Sequence, residues 1–466
     1  MIARCQRGTS CNSTVNIDKG GTRSSGLEKP SLPPHRLSFP CPIMPRQKKP
    51  SDPTTRRMSR REFVGASLVA GLTGGVVRPR AAGPSLEKRM HPNSIYTRLL
   101  GVRPHLAGHG YTTILGGSRM PSEVVRAMKE AGEEFVDIRE LTAAAGRRLA
   151  EVTHSEAAIV TSGSFSSLLL GAAACLSGTD PEKVAALPQP TWPKRECVLQ
   201  TAHRLDYAKA FQVAGMKIIE VERREDFARA INPNTALIAA IASWERRADR
   251  APAVMRPEEF IALGKQTGVP VLIDLAAELP PVSNLTKYSE MGADLITISG
   301  GKGLRGPQST GILAGKKALI EAARLHAYPN TMLGRGMKIG KEEVIGLIAA
   351  IDRFLALDHA ALQAGWVRTA KYVAGELQGV PGLKAEYMEP RMTALGYDAV
   401  ELSWDQQVIP ITPEQAREGL RAGEPRILFS GTTFITRNLE HGEEVIAARR
   451  LRQFFLDAAR RGTKAV

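Results

Sequence analysis

Lys302 stands in Ser299-Gly300-Gly301-Lys302-Gly303-Leu304, directly after the apolar run Leu295–Ile298. A primary amine in a glycine-rich turn can form a Schiff base with a carbonyl and then act as a base, provided its pKa is lowered. Alone, such a lysine is an ordinary solvated turn residue. Twenty-eight residues earlier, Asp274 closes the apolar run Val271-Leu272-Ile273. A carboxylate at the C-terminal end of a buried strand sits where open α/β sheets bind ligands, and it can hold a proton on a ring nitrogen. Upstream, Ser162-Gly163-Ser164 separates a strand-like run from a helix-like one. Free amides at a helix start, with small hydroxyls beside them, suit a phosphate. Ser299, three residues before Lys302, can donate to the same group. His203 falls between the turn and Asp274 and is a candidate ring to stack on a flat cofactor, although a lone histidine is more often structural.

The elements that must position these residues follow a regular pattern from about residue 120. Ser122 before Glu123-Val124-Val125 reads as a capped helix start. Strands are expected at Ala157–Thr161, Ile218–Val221, Leu237–Ile241, Val269–Ile273, Leu295–Ile298 and Thr310–Ala314, with helices between them as at Pro257–Thr267. Strands alternating with helices imply an α/β fold with a mostly parallel sheet covered on both faces. After Lys341 the texture changes: one long helix over 342–378, broken near Gly365, then short strands at Ala399–Leu402 and Arg426–Phe429, then a helix from about Gly442 to Arg461. The expected division is a large domain over 83–341, with an N-terminal arm, and a smaller α+β domain over 342–466.

The order of phosphate turn, ring, strand-end Asp and Ser-x-x-Lys is that of fold-type-I pyridoxal-phosphate (PLP) enzymes. The stretch Gly300-Gly301-Lys302-Gly303-Leu304-Arg305-Gly306-Pro307-Gln308-Ser309-Thr310-Gly311, with Gly334-Arg335-Gly336-Met337-Lys338-Ile339-Gly340 and Leu115-Gly116-Gly117-Ser118, resembles the selenocysteine-synthase family over roughly residues 95–460. Within that family it looks closer to the branch that includes D-glucosaminate-6-phosphate ammonia-lyase. The resemblance implies a seven-stranded large-domain sheet, PLP on Lys302, and elimination of a group from Cβ of an amino acid or amino sugar acid. Arg335 and Lys338 match basic positions near the family's substrate, with Arg119 as a further candidate. It also implies a homodimer or larger assembly. Selenocysteine synthase has an acidic residue before its lysine where this chain has Gly301, and its tRNA-binding domain is replaced by the leader, which points away from selenium transfer. Aminotransfer or selenium transfer on the same fold, and a non-catalytic exported binding protein, are the alternatives.

The net charge of +16 would suggest nucleic acid as a partner if it were evenly spread. Residues 1–82 hold 15 Lys/Arg against 4 Asp/Glu, whereas the other 384 residues hold 48 against 43, so no nucleic-acid partner is expected for the body. Residues 1–57, with Met44 and Met58 as further potential starts, read as a disordered basic leader. Ser59-Arg60-Arg61-Glu62-Phe63-Val64 and the Gly/Ala-rich run after it resemble a twin-arginine export signal over 58–82, implying the export machinery as partner and a periplasmic location. The five cysteines, at 5, 11, 41, 175 and 197, show no metal or disulfide spacing, and Cys175 reads as a small core residue.

Overall fold

The computed structural model describes residues 94–463 except 205, 246–250 and 394–395; the leader and the twin-arginine segment lie outside the described residues. Twelve strands are described: β1 (Leu106–Gly108), β2 (Ala157–Thr161), β3 (Glu196–Gln200), β4 (Lys217–Val221), β5 (Thr235–Ile241), β6 (Val271–Asp274), β7 (Leu295–Ser299), β8 (Gly311–Gly315), β9 (Leu383–Met388), β10 (Ala399–Trp404), β11 (Ile427–Phe429) and β12 (Thr433–Ile435). Seven form one sheet in the order β2-β8-β7-β6-β5-β3-β4. Only β8 runs against its neighbours; the remaining pairs are parallel.

Successive residues of each central strand enter different cores, which is why these strands read as unbroken apolar runs. Ile238, Ile273, Ile296 and Ile312 pack into one core with the helices Ile138–Val152, Pro257–Thr267 and Lys341–Leu355. Leu237, Leu272, Leu295 and Leu313 face the other core, against the helix Ser164–Ser177. Cys175 lies on that helix, where burial pushes its thiol up to about 12, as suits a core residue.

A third core joins the helices His359–Glu376 and Glu443–Thr463 to the three-stranded sheet β12-β10-β9. Leu106 of β1 belongs to it too, because β1 pairs in parallel with β11. Two local expectations are corrected. Pro121, not Ser122, occupies the N-cap of the helix Ser122–Gly132, with no side-chain cap, and the Ser122 hydroxyl bonds Glu123 instead. The break after Lys341 falls between Leu355 and His359, where Asp358 caps the next helix by accepting from the Ala361 amide. Gly365 continues that helix, because an isolated glycine weakens a helix without ending it. Strands β1, β3, β9 and β12 were not among those expected from sequence. No helix among the described residues is long and apolar enough to cross a membrane.

Candidate active site

The parallel strands deliver their C-terminal ends to one edge of the sheet, and the register sets the level of each group there. Thr161 and Ser299 both pair with Gly311 of β8, which runs between them. Thr161 and Ser299 therefore sit about 10 Å apart, two strand spacings, at the same height. A Cβ on Gly311 would lie 2.5 Å from the carbonyl carbon of Gly163, so the turn crosses β8 where only hydrogen fits. Gly163 takes φ 87° and opens the helix Ser164–Ser177 with no side-chain cap, leaving its first amides for another acceptor. The Ser162 hydroxyl bonds that of Ser166 at 2.9 Å.

Asp274 ends β6 beside Thr297. The Ala276 amide donates to its Oδ1 at 2.9 Å. Burial pushes its carboxyl above the usual range, against the pull of that bond and of the Lys302 ammonium. The Lys302 turn is packed backbone to backbone. A Cβ on Gly301 would lie 2.4 Å from Gln308 Cα, and one on Gly303 2.0 Å from the Leu279 carbonyl oxygen. The glycines are thus required by the protein's own packing, and an acidic side chain at 301 has no space without moving the loop. Lys302 itself is half-buried, and among the described residues its ammonium makes no hydrogen bond or ion pair.

One cavity of about 690 Å³ is lined by Ser162, Gly163, Ser164, Asp274, Ser299 and Lys302. The other expected residues are placed elsewhere. His203 is 3% exposed, beside Asp274 on a small adjoining void. Its Nδ1 accepts from the Ile241 amide at 3.1 Å and its Nε2 bonds the Met255 carbonyl at 2.9 Å, an arrangement that suits the neutral ring. Burial lowers its pKa to about 4. Arg119 is outside the cavity lining, engaged at 2.8 and 3.0 Å with both carboxylate oxygens of buried Glu443. Arg335 and Lys338 are exposed and also outside the lining; Arg335 stacks over Tyr328 at 5.3 Å.

Five aromatic residues that sequence reasoning did not single out line the cavity: Tyr111, Phe165, Tyr207, Trp244 and Tyr397. Behind Tyr397 lies Arg437, 7% exposed, its guanidinium 4.3 Å from that ring and 4.1 Å from Trp366. Its Nε is buried without a hydrogen-bond partner among the described residues. No local motif marks these residues; they meet only through the fold.

An uncapped helix start for a phosphate, a half-buried carboxylate for a ring nitrogen and an amine without a protein partner, all facing one cavity, fit PLP as a group. The model for the family "L-seryl-tRNA selenium transferase" matches residues 208–394. A 5'-C-glycyluridine monooxygenase-decarboxylase from Streptomyces sp is 31% identical over 392 residues, covering 80% of this chain and 95% of the relative. A D-glucosaminate-6-phosphate ammonia lyase from Salmonella typhimurium is 26% identical over 386 residues, 79% of this chain and 100% of the relative. A solved structure of a D-glucosaminate-6-phosphate ammonia-lyase superposes with a TM-score of 0.65 at 24% identity, over 78% of this chain and 99% of that one.

Proposed function

We propose a reaction for this chain from one premise: it belongs to the selenocysteine-synthase-like family of PLP-dependent enzymes, of fold type I, and is itself a PLP-dependent enzyme. Bound in the cavity, PLP supplies an aldehyde for amines and a ring that withdraws electrons from Cα. Ser162, Gly163, Ser164 and Ser299 would hold its phosphate, Asp274 its ring nitrogen and Lys302 its aldehyde carbon. Once the substrate's own amine has displaced Lys302 from the aldehyde carbon, the freed Nζ would take the Cα proton, and the group at Cβ would leave with its bonding electron pair. The outcome is an α,β-elimination that yields ammonia and a 2-oxo acid after hydrolysis. The observation that carries this reading is one cavity in which the amine and the half-buried carboxylate face remaining open space.

The substrate is an α-amino acid or amino sugar acid with a bulky side chain. A cavity near 690 Å³ lies well within the roughly 300–1,000 Å³ of sites that enclose drug-sized ligands. Cofactor and a three-carbon amino acid would leave much of it empty. The aromatic walls suit the face of a sugar or base. The substrates named for both relatives join an amino-acid group to a sugar frame.

The test is spectroscopic and then chemical. Purified protein should show a visible absorption band that borohydride bleaches, and should release ammonia from sugar-bearing amino acids without oxygen or an added oxo acid. A colourless protein that PLP cannot reconstitute overturns the assignment. Ammonia released only with an oxo-acid acceptor would mean aminotransfer. Oxygen consumption coupled to carbon dioxide release would favour oxidative decarboxylation instead, the type of reaction in the name of the 31% identical relative.

Two companion proposals concern assembly and location. Exposed Ile95, Leu99 and Leu100 on the helix Ile95–Leu100 support a homodimer or larger assembly, in which Arg335 and Lys338 would face a second copy. Light scattering checks this, and a monomer would refute it. Arg60-Arg61 supports export by the twin-arginine route, and changing both to lysine should retain the protein in the cytoplasm.

A further inference from the structure

The segment His109–Arg119 lies as a strap between the Lys302 loop and the stretch 438–443. On the loop side, the Ser118 hydroxyl donates to the Gly301 carbonyl at 2.9 Å, and the Gln308 amide donates to the Thr113 carbonyl at 2.8 Å. On the other side, the Asn438 side chain donates to the carbonyls of His109, Gly110 and Gly117. Buried Glu443 grips Arg119 through both oxygens and accepts from the Glu440 amide at 3.0 Å. The strap also carries Tyr111, Thr112 and Thr113 into the cavity wall.

Arg305 closes this circuit. It lies three residues beyond Lys302, and its amide donates to the Lys302 carbonyl at 3.0 Å. Its Nε donates to the Arg119 carbonyl at 2.8 Å, and its Nη2 pairs with Glu440. Arg305 has φ 58°, a left-handed conformation that costs energy for any residue with a Cβ. Glycines occupy 300, 301, 303 and 306 of the same loop, so a residue that avoids the strain is in ready use nearby. Arginine at 305 therefore answers a need of its side chain, and the guanidinium's two partners say what that need is. It ties the turn holding the amine to the chain segment that also carries Arg437.

We propose that Arg305 is a positioning residue, which sets Lys302 in the cavity from the Asn438–Glu443 segment through Glu440 and the Arg119 carbonyl. The proposal rests on Lys302 being the reacting amine. Arg119, expected from sequence at the substrate, then acts in the same circuit as an anchor of the strap.

The test uses the PLP-loaded enzyme and the variants Arg305→Gln, Arg305→Lys and Glu440→Gln. Misplacement of a reacting group by about an ångström can cost about 100-fold, so Arg305→Gln should lower kcat by about 10- to 100-fold. KM should change little. The pH midpoint of the visible band and the rate of borohydride fixation onto the Lys302 peptide should both shift. Arg305→Lys, which keeps the charge opposite Glu440 but cannot serve both partners, should fall between wild type and Arg305→Gln. Arg148→Ala, which breaks the exposed pair with Asp352, should move none of these. If Arg305→Gln and Glu440→Gln leave kcat, band midpoint and fixation rate at wild-type values, the positioning role is wrong while Lys302 keeps its assignment. If wild-type fixation labels a peptide other than that of Lys302, both fall. Should Arg305→Gln not fold, Glu440→Gln alone decides.

Discussion

Lys302 and Arg335 are each a basic residue between two glycines, yet their surroundings are opposite. Around Lys302, a Cβ on either flanking glycine would run into backbone, at Gln308 on one side and Leu279 on the other. Around Arg335, Gly334 is tight against the His326 carbonyl, but Gly336 meets nothing within 4 Å. The first turn is clamped and points its amine at the cavity that Asp274 also lines. The second is exposed, its arginine resting on Tyr328. A Gly-basic-Gly pattern thus supplies a cation with freedom of backbone; whether that cation is aimed at anything is decided by what the glycines pack against.

The comparison can be broken most directly at Lys302. Lys302→Ala should abolish the visible band and lower turnover by at least the roughly 10²–10⁴-fold that a positioned acid–base group contributes. Arg335→Ala should leave the band intact. A Lys302→Ala protein that keeps the band would remove the premise of the contrast.

Asp274 provides the next largest effect. Asp274→Asn removes the charge that would meet the protonated ring nitrogen, and should weaken PLP binding by about 2–5 kcal/mol, measured by equilibrium titration. Because burial raises the Asp274 carboxyl in the protein without ligand, that protein gains a proton at a higher pH than the unfolded chain. Acidification through that value favours the unloaded fold and disfavours PLP, which needs the carboxylate. Cofactor release on lowering pH should therefore begin above the ordinary aspartate range, and Asp274→Asn should flatten that dependence.

The glycines themselves give a graded test. Gly301→Ala should destabilise the protein by about 1–3 kcal/mol, as overpacking does, and loosen PLP with it. Gly336→Ala should shift the melting temperature little, within about 1 kcal/mol of wild type. Equal effects at both would erase the distinction between a clamped and an open turn. The smallest change is expected from Arg335→Ala with Lys338→Ala: kcat near wild type and, if a second copy brings these residues to the substrate, a rise confined to KM. A loss of kcat as large as that of Lys302→Ala would place them at the reacting atoms.

Much of the fold was legible because its cause is local. Ala157–Thr161 and Pro257–Thr267 were read with the bounds the structure gives them, since apolar runs and Pro at a helix start are local signals. β9 was missed because a strand with one buried face, Leu383–Met388, alternates too weakly to stand out. The helix break lies at Asp358 and not at Gly365, because a capping aspartate starts a new helix whereas an isolated glycine only weakens one.

By itself, the sequence determined which residues could bind a phosphate, a ring nitrogen and an aldehyde, and in what order. Ser162, Asp274, Ser299 and Lys302 each lie at or just beyond a strand end, and parallel strands necessarily bring those ends to one edge. Tertiary structure alone decided what each of the other cations meets. Arg119 is held by Glu443, 324 residues away, while Arg437 is enclosed by Trp366 and Tyr397 and keeps a nitrogen unbonded. The physical reason is that a side chain's type fixes what it can bond, whereas its partners come from packing between segments that no local spacing relates.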